Sequence, residues 1–96
     1  MTGPSLDDAT VVSRREDVIA ERVLDETVIL DPQSDRYVRL NASARSLWEA
    51  LAQPRTLQAL ADGLVAEFGI EQPRARADAA TFVDDLVERE LVQIAG

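Results

Sequence analysis

The sequence predicts a single α+β domain, three antiparallel strands followed by three helices. Two observations carry this. The stretch Arg36-Tyr37-Val38-Arg39-Leu40 alternates with the period of a half-buried strand. From Asn41 onward the apolar residues recur at three and four, the period of a helix with one buried face. Length fits one domain: 96 residues, 46% of them apolar, can bury one small core.

The first strand is expected over Val18–Val23, with Leu24-Asp25-Glu26 as the turn. The second spans Thr27–Asp31, and its three central apolar residues Val28-Ile29-Leu30 mark it as the middle strand. Pro32-Gln33-Ser34-Asp35 is turn chemistry: proline fixes φ, and Ser and Asp bond locally to backbone. Arg36–Leu40 is the third strand, and connections this short make the meander antiparallel. Residues 1–12 read as a mobile tail before a domain over 13–96, with Ala9–Val12 either an extra strand or a docked segment.

Asn41 stands at an N-cap position, ahead of Ala44, Leu47, Trp48 and Leu51, and Gln53-Pro54 ends that helix. Thr56 caps a second helix with an apolar face of Leu57, Leu60, Ala61, Leu64, Val65 and Phe68, and Gly69 is its C′ residue. Pro73 sits in the first turn of the third, where its missing N–H costs nothing. Leu91-Val92 closes the core, and Val92–Ala95 forms a short final strand. The expected core is Val38, Leu40, Leu47, Trp48, Leu60, Leu64, Phe68, Phe82 and Leu86.

Several chemistries are excluded. The chain has no histidine and no cysteine, so it holds no imidazole or thiolate nucleophile or metal ligand. Its four glycines form no phosphate-binding loop. Asp84 and Asp85 diverge by about 100° on a helix and do not converge on one proton or metal. No catalytic residue, cofactor or metal site is expected. The net charge of −8, with arginine as the only basic residue, disfavours nucleic acid. No apolar run reaches the roughly 20 residues of a membrane span. The Met1–Ser5 start lacks signal-peptide features, which suits a cytoplasmic protein.

Two features suit binding. The third strand of a meander is an edge, and its free N–H and C=O groups can accept a strand from a partner. Arg36 and Arg39 on it either serve that partner or only discourage aggregation. On the third helix, Ala75, Ala79, Phe82 and Leu86 lie along one line, while Ala80, Val83 and Val87 widen the apolar arc on one side. That extension either walls a groove or packs on the strands. Arg76 lies within it.

The run Val28-Ile29-Leu30-Asp31, Arg36-Tyr37-Val38-Arg39-Leu40-Asn41, Ala44 and Leu47-Trp48 resembles the PqqD-like family. The likeness continues through Arg55-Thr56-Leu57, Leu60, Leu64, Phe68, Leu86 and Leu91-Val92. Asp35 departs from the pattern where many relatives carry glycine, as does Glu90 before the terminal leucine, and Gln53-Pro54 replaces a common Asp-Gly. The resemblance implies a winged helix-turn-helix-like domain that binds leader segments of ribosomally made precursor peptides. In that family the leader adds to the third strand and lies against the third helix. Carried onto this chain, the contacts are Arg36, Tyr37, Val38, Arg39, Leu40, Arg76, Ala79, Ala80, Val83 and Val87. The detailed run looks most like the stand-alone recognition proteins of lasso-peptide pathways, whose partners are a leader peptidase with a cysteine nucleophile and a cyclase. Two other readings stay open: a peptide chaperone for a radical SAM enzyme, and an acidic winged-helix DNA-binding regulator. The second conflicts with five acids against three arginines between Pro73 and Glu90.

Overall fold

The computed structural model of the chain describes residues 7–95. In chain order its elements are β1 (Val11–Arg14), β2 (Ile19–Val23), β3 (Glu26–Asp31), β4 (Arg36–Leu40), α1 (Ala42–Ala50), β5 (Arg55–Thr56), α2 (Leu57–Phe68), α3 (Gln72–Glu88) and β6 (Val92–Ala95). The expected meander is present as an antiparallel sheet of order β2-β3-β4, with the central Ile29 fully buried. A second small sheet, of order β5-β1-β6, was only half expected. β6 was foreseen, β1 was left undecided, and the two-residue β5 gives no sequence signal.

Two of the three helices start at a capping side chain, while α3 has none and carries proline in its first turn. The Asn41 side chain accepts from the Ala44 N–H at 2.8 Å, and that of Thr56 from the Ala59 N–H at 3.1 Å. Gly69 ends α2 at φ 66, and its N–H donates to the Val65 carbonyl.

The division after residue 12 does not hold for the described part of the expected tail. Val12 is fully buried, and β1 pairs with both β5 and β6. Just ahead of it, the Thr10 and Asp8 carbonyls accept from the N–H groups of Leu57 and Gln58. With Thr56 they satisfy three donors of α2's first turn, groups that no partner within a helix can reach. Residues 1–6 lie outside the described part.

The core joins Val12, Ile29, Leu40, Leu47, Trp48, Leu51, Leu60, Leu64, Val83 and Leu86, among others. Two expected core residues sit at its margin: Val38 and Phe82 are half-buried and packed against it. A third, Phe68, is 38% exposed and does not belong to it. It is the last residue of α2, where the chain turns at Gly69.

The departures at Asp35 and Glu90 have a physical counterpart. Both residues adopt left-handed backbone, at φ 61 and 60. Glycine holds that conformation without strain, whereas a side chain costs about 1–2 kcal/mol. Glu90→Gly is therefore expected to stabilise the domain by up to about 1 kcal/mol, after the larger entropy of the unfolded glycine is subtracted. A higher denaturation midpoint at unchanged slope checks this.

Candidate functional site

β4 lies at the edge of its sheet, and its residues face two ways. Val38 stands opposite buried Ile29, and Arg36 opposite buried Asp31, so both point to the inner side. Tyr37 and Arg39 point outward, and Tyr37 is 68% exposed. Along the inner flank of β4 runs a trough against α3. At one end a hollow of about 650 Å³ opens between Arg36 and Val38 on the strand and Asp85, Arg89 and Leu91 across from them. Further along, a hollow of about 540 Å³ lies between Asn41, Ala44 and Leu47 and the side chains of Arg74, Asp78 and Phe82. Asp85 lines both hollows.

The helix wall of this trough differs from the one expected. Ala79 and Val83 are fully buried in the core and cannot line an open groove. Ala80 and Val87 pack against the core as half-buried residues. The wide apolar arc of α3 serves two neighbours, α2 and β6, so of the two readings left open, a groove wall or packing on strands, it is the packing that the structure has. Arg76 pairs with Asp8, so it faces the N-terminal segment. The strand half of the expectation fares differently: Arg36 and Val38 line the trough, Tyr37 and Arg39 lie on the outer face, and Leu40 is buried. What α3 offers the trough is its polar flank around Phe82. The signal was available, because Asp78, Phe82, Asp85 and Arg89 fall within one narrow arc at about 100° per residue.

Charges along this wall are largely internal. Arg74 pairs with Asp78 at 3.6 Å and Arg89 with Asp85 at 3.2 Å, each one turn apart. Arg36 makes no ion pair among the described residues, leaving it available to a ligand. Arg39 reaches Glu26 at 3.9 Å, an exposed pair of little energetic weight.

The closed end of the trough rests on a polar cluster that sequence reading missed. The Arg15 guanidinium donates to Asp31 at 2.7 Å, to Asp17 at 2.7 and 3.0 Å, and to the Glu90 carbonyl at 2.9 Å. Asp31 also accepts from the Gln33 N–H and the Ser34 hydroxyl, and so caps the turn that follows it. One side chain thus ties the end of β3 to the turn after α3, the two sides of the first hollow. The hydrogen bond from Arg15, above all, holds the Asp31 carboxyl down at about 2, against partial desolvation. The same guanidinium depresses Asp17, and the two carboxylates raise Arg15 in turn.

A carboxyl depressed on folding stabilises the fold above its unfolded value, near 3.9, and that contribution is lost as pH falls through about 2. Asp31→Asn is expected to lower stability at neutral pH and to converge with wild type towards pH 2. Urea denaturation from pH 2 to pH 6 reads this directly. A difference independent of pH would remove the ionic role.

No group of His, Cys, Asp or Glu side chains suited to a metal ion occurs among the described residues. Nor does any described helix have the length and apolarity to cross a membrane.

A free strand edge beside a helix-walled trough is the geometry that can accept an added peptide strand. The chain belongs to the PqqD family: the model of coenzyme PQQ synthesis protein D matches residues 26–92. Among solved structures it is similar to TbiB1 in complex with the TbiA(beta) leader peptide, at 25% identity and TM-score 0.76, over 84% of this chain and 94% of that one. It also resembles a lasso peptide synthetase B1 complexed with the leader peptide, at 24% identity and TM-score 0.75, over 85% and 96% of the two chains. The PqqD truncation of Methylobacterium extorquens PqqCD, described as a stand-alone recognition element for ribosomally synthesised and modified peptides, shares the fold. It has 15% identity and TM-score 0.78 over 93% and 95% of the chains. No curated protein matches the sequence significantly.

Proposed function

We propose that this chain binds the leader segment of a ribosomally synthesised precursor peptide and delivers it to processing enzymes. The observation that carries the reading is the free β4 edge with Val38 turned into a trough against α3, in a chain 25% identical to a structure solved with a leader peptide. The leader adds as a strand along Arg36–Leu40. Main-chain bonds set its register, and alternate side chains enter the two hollows. Val38, Ala44 and Phe82 offer apolar contact, and Arg36 offers a charge. Ordering the disordered leader costs several kcal/mol, so affinity is moderate. Tethering then raises the leader's effective concentration at the enzyme.

The role is binding and not catalysis, in keeping with a chain that has neither Cys nor His. Cleavage would fall to a leader peptidase with a cysteine nucleophile, and ring closure to a cyclase, in the cytoplasm. Within this reading the β2–β3–β4 sheet and the helices form a winged helix-turn-helix-like unit that reads peptide instead of DNA. The family match favours a second reading, in which the same trough presents a peptide to a radical SAM enzyme. The identity of the enzyme that responds separates the two.

Both β2 and β4 are edges of their sheet, which makes the test selective. The leader of the precursor encoded beside this chain should slow amide exchange across residues 36–40 and leave 19–23 unchanged. Protection at β2 in place of β4, or at neither, would overturn the reading.

A further inference from the structure

We propose that the β2–β3 hairpin tip, with the outer face of its sheet, docks a separate protein through an apolar pocket rimmed by cationic side chains. Leu24, at the tip, is 93% exposed and holds left-handed backbone at φ 58. Both properties are costly for a bulky apolar residue, and glycine would remove both. Nothing among the described residues offsets them, since a side chain this exposed packs on almost nothing.

A second observation lies below the tip. Of the five exposed large apolar side chains among the described residues, four belong to this hairpin and its sheet: Leu24, Ile19, Val23 and Tyr37. Pairing places Ile19, Leu30 and Tyr37 in one cross-strand row on the outer face, with Val28 in the next. The result is an apolar patch from Leu24 and Val23 through Val28 to Leu30, Ile19 and Tyr37, flanked in the Val28 row by Glu21 and Arg39, the kind of patch that marks an interface.

Charge selects the occupant. On the hairpin and the outer face stand Glu21, Asp25 and Glu26 against Arg22 and Arg39, the last of which reaches Glu26, and the whole chain stands at −8. A second copy brings the same acidic tip, and an anionic membrane surface is repelled for the same reason. A pocket with a cationic rim is attracted. Tyr37 and Arg39 belong to the outer face of β4, so a peptide strand added there would extend the docking surface. The partner would then contact hairpin and bound leader together.

The probe is the purified cysteine leader peptidase encoded beside this chain, a choice that rests on the function proposed above. Leu24→Gly relieves the backbone strain while deleting the anchor. It is expected to unfold at a higher temperature than wild type, to bind the leader equally well, and to bind the peptidase at least about tenfold more weakly by calorimetry. Ile19→Thr, away from the tip, should weaken the same contact. Association of the wild type should slow as salt rises. Wild-type affinity in Leu24→Gly would overturn the proposal. So would a wild-type dimer in sedimentation that Leu24→Gly abolishes, because the occupant would then be a second copy. The leader titration runs separately, so its failure would count against the β4 edge and not against the hairpin, which leader-free peptidase binding tests.

Discussion

Val83→Asp should destabilise the folded state severely. Val83 is fully buried, in a core that also holds Ala79 and Leu86 on the same helix. An ionised carboxylate there would have no partner, and protonating it still leaves a polar group in apolar surroundings. Adding the lost packing of the valine, the cost is about 4 kcal/mol or more, at the upper end of what single substitutions do. A domain of this size has only about 5–14 kcal/mol in total. The thermal midpoint should therefore fall by roughly 15–30 °C. Circular dichroism and near-ultraviolet signals from the buried Trp48 provide the measurement. A variant that melts like wild type would show that Val83 faces solvent, as an open groove wall would require. Loss of peptide binding in this variant reports unfolding and does not map the site.

Val83 illustrates where sequence reading succeeds and where it stops. Periodicity located α3 and its apolar arc, because a helix repeats at fixed angle and burial follows that repeat. It left open what the arc faces, since that depends on which elements arrive from elsewhere in the chain. β1 and β6 complete a second sheet by pairing residues about 80 positions apart, such as Val12 with Ile94. Pairing at that distance leaves little local trace in either segment. The strands β2 to β4 were legible for the opposite reason: two short turns join them, and turn chemistry is written in adjacent residues. The same contrast separates the two parts of the candidate site. The β4 edge follows from strand order alone. The polar wall of Asp78, Phe82, Asp85 and Arg89, and the Arg15 cluster at the trough's end, depend on tertiary placement.

Leader binding should be lost, with folding retained, in Ala44→Glu. Ala44 is the third residue of α1, and its N–H already donates to the Asn41 side chain. Glutamate at this position can reach back to the Asn41 N–H and complete a capping box. The first turn of α1 carries no acidic residue, so the new carboxylate also meets the helix dipole favourably. Together these effects should hold or raise stability by about 0.3–1 kcal/mol. Ala44 lines the second hollow with Leu47 and Phe82, where an apolar leader side chain would sit. The added chain fills that space, and its charge must be desolvated before an apolar group can enter. Asp78 and Asp85 across the trough add unfavourable charge. Affinity for the leader should fall at least about a hundredfold, roughly 2.7 kcal/mol. Ala44→Gln has nearly the same bulk without the charge and should lose less. Calorimetric titration of the three proteins, with denaturation curves as the folding control, decides the matter. Equal affinities across the set would move the leader away from this hollow.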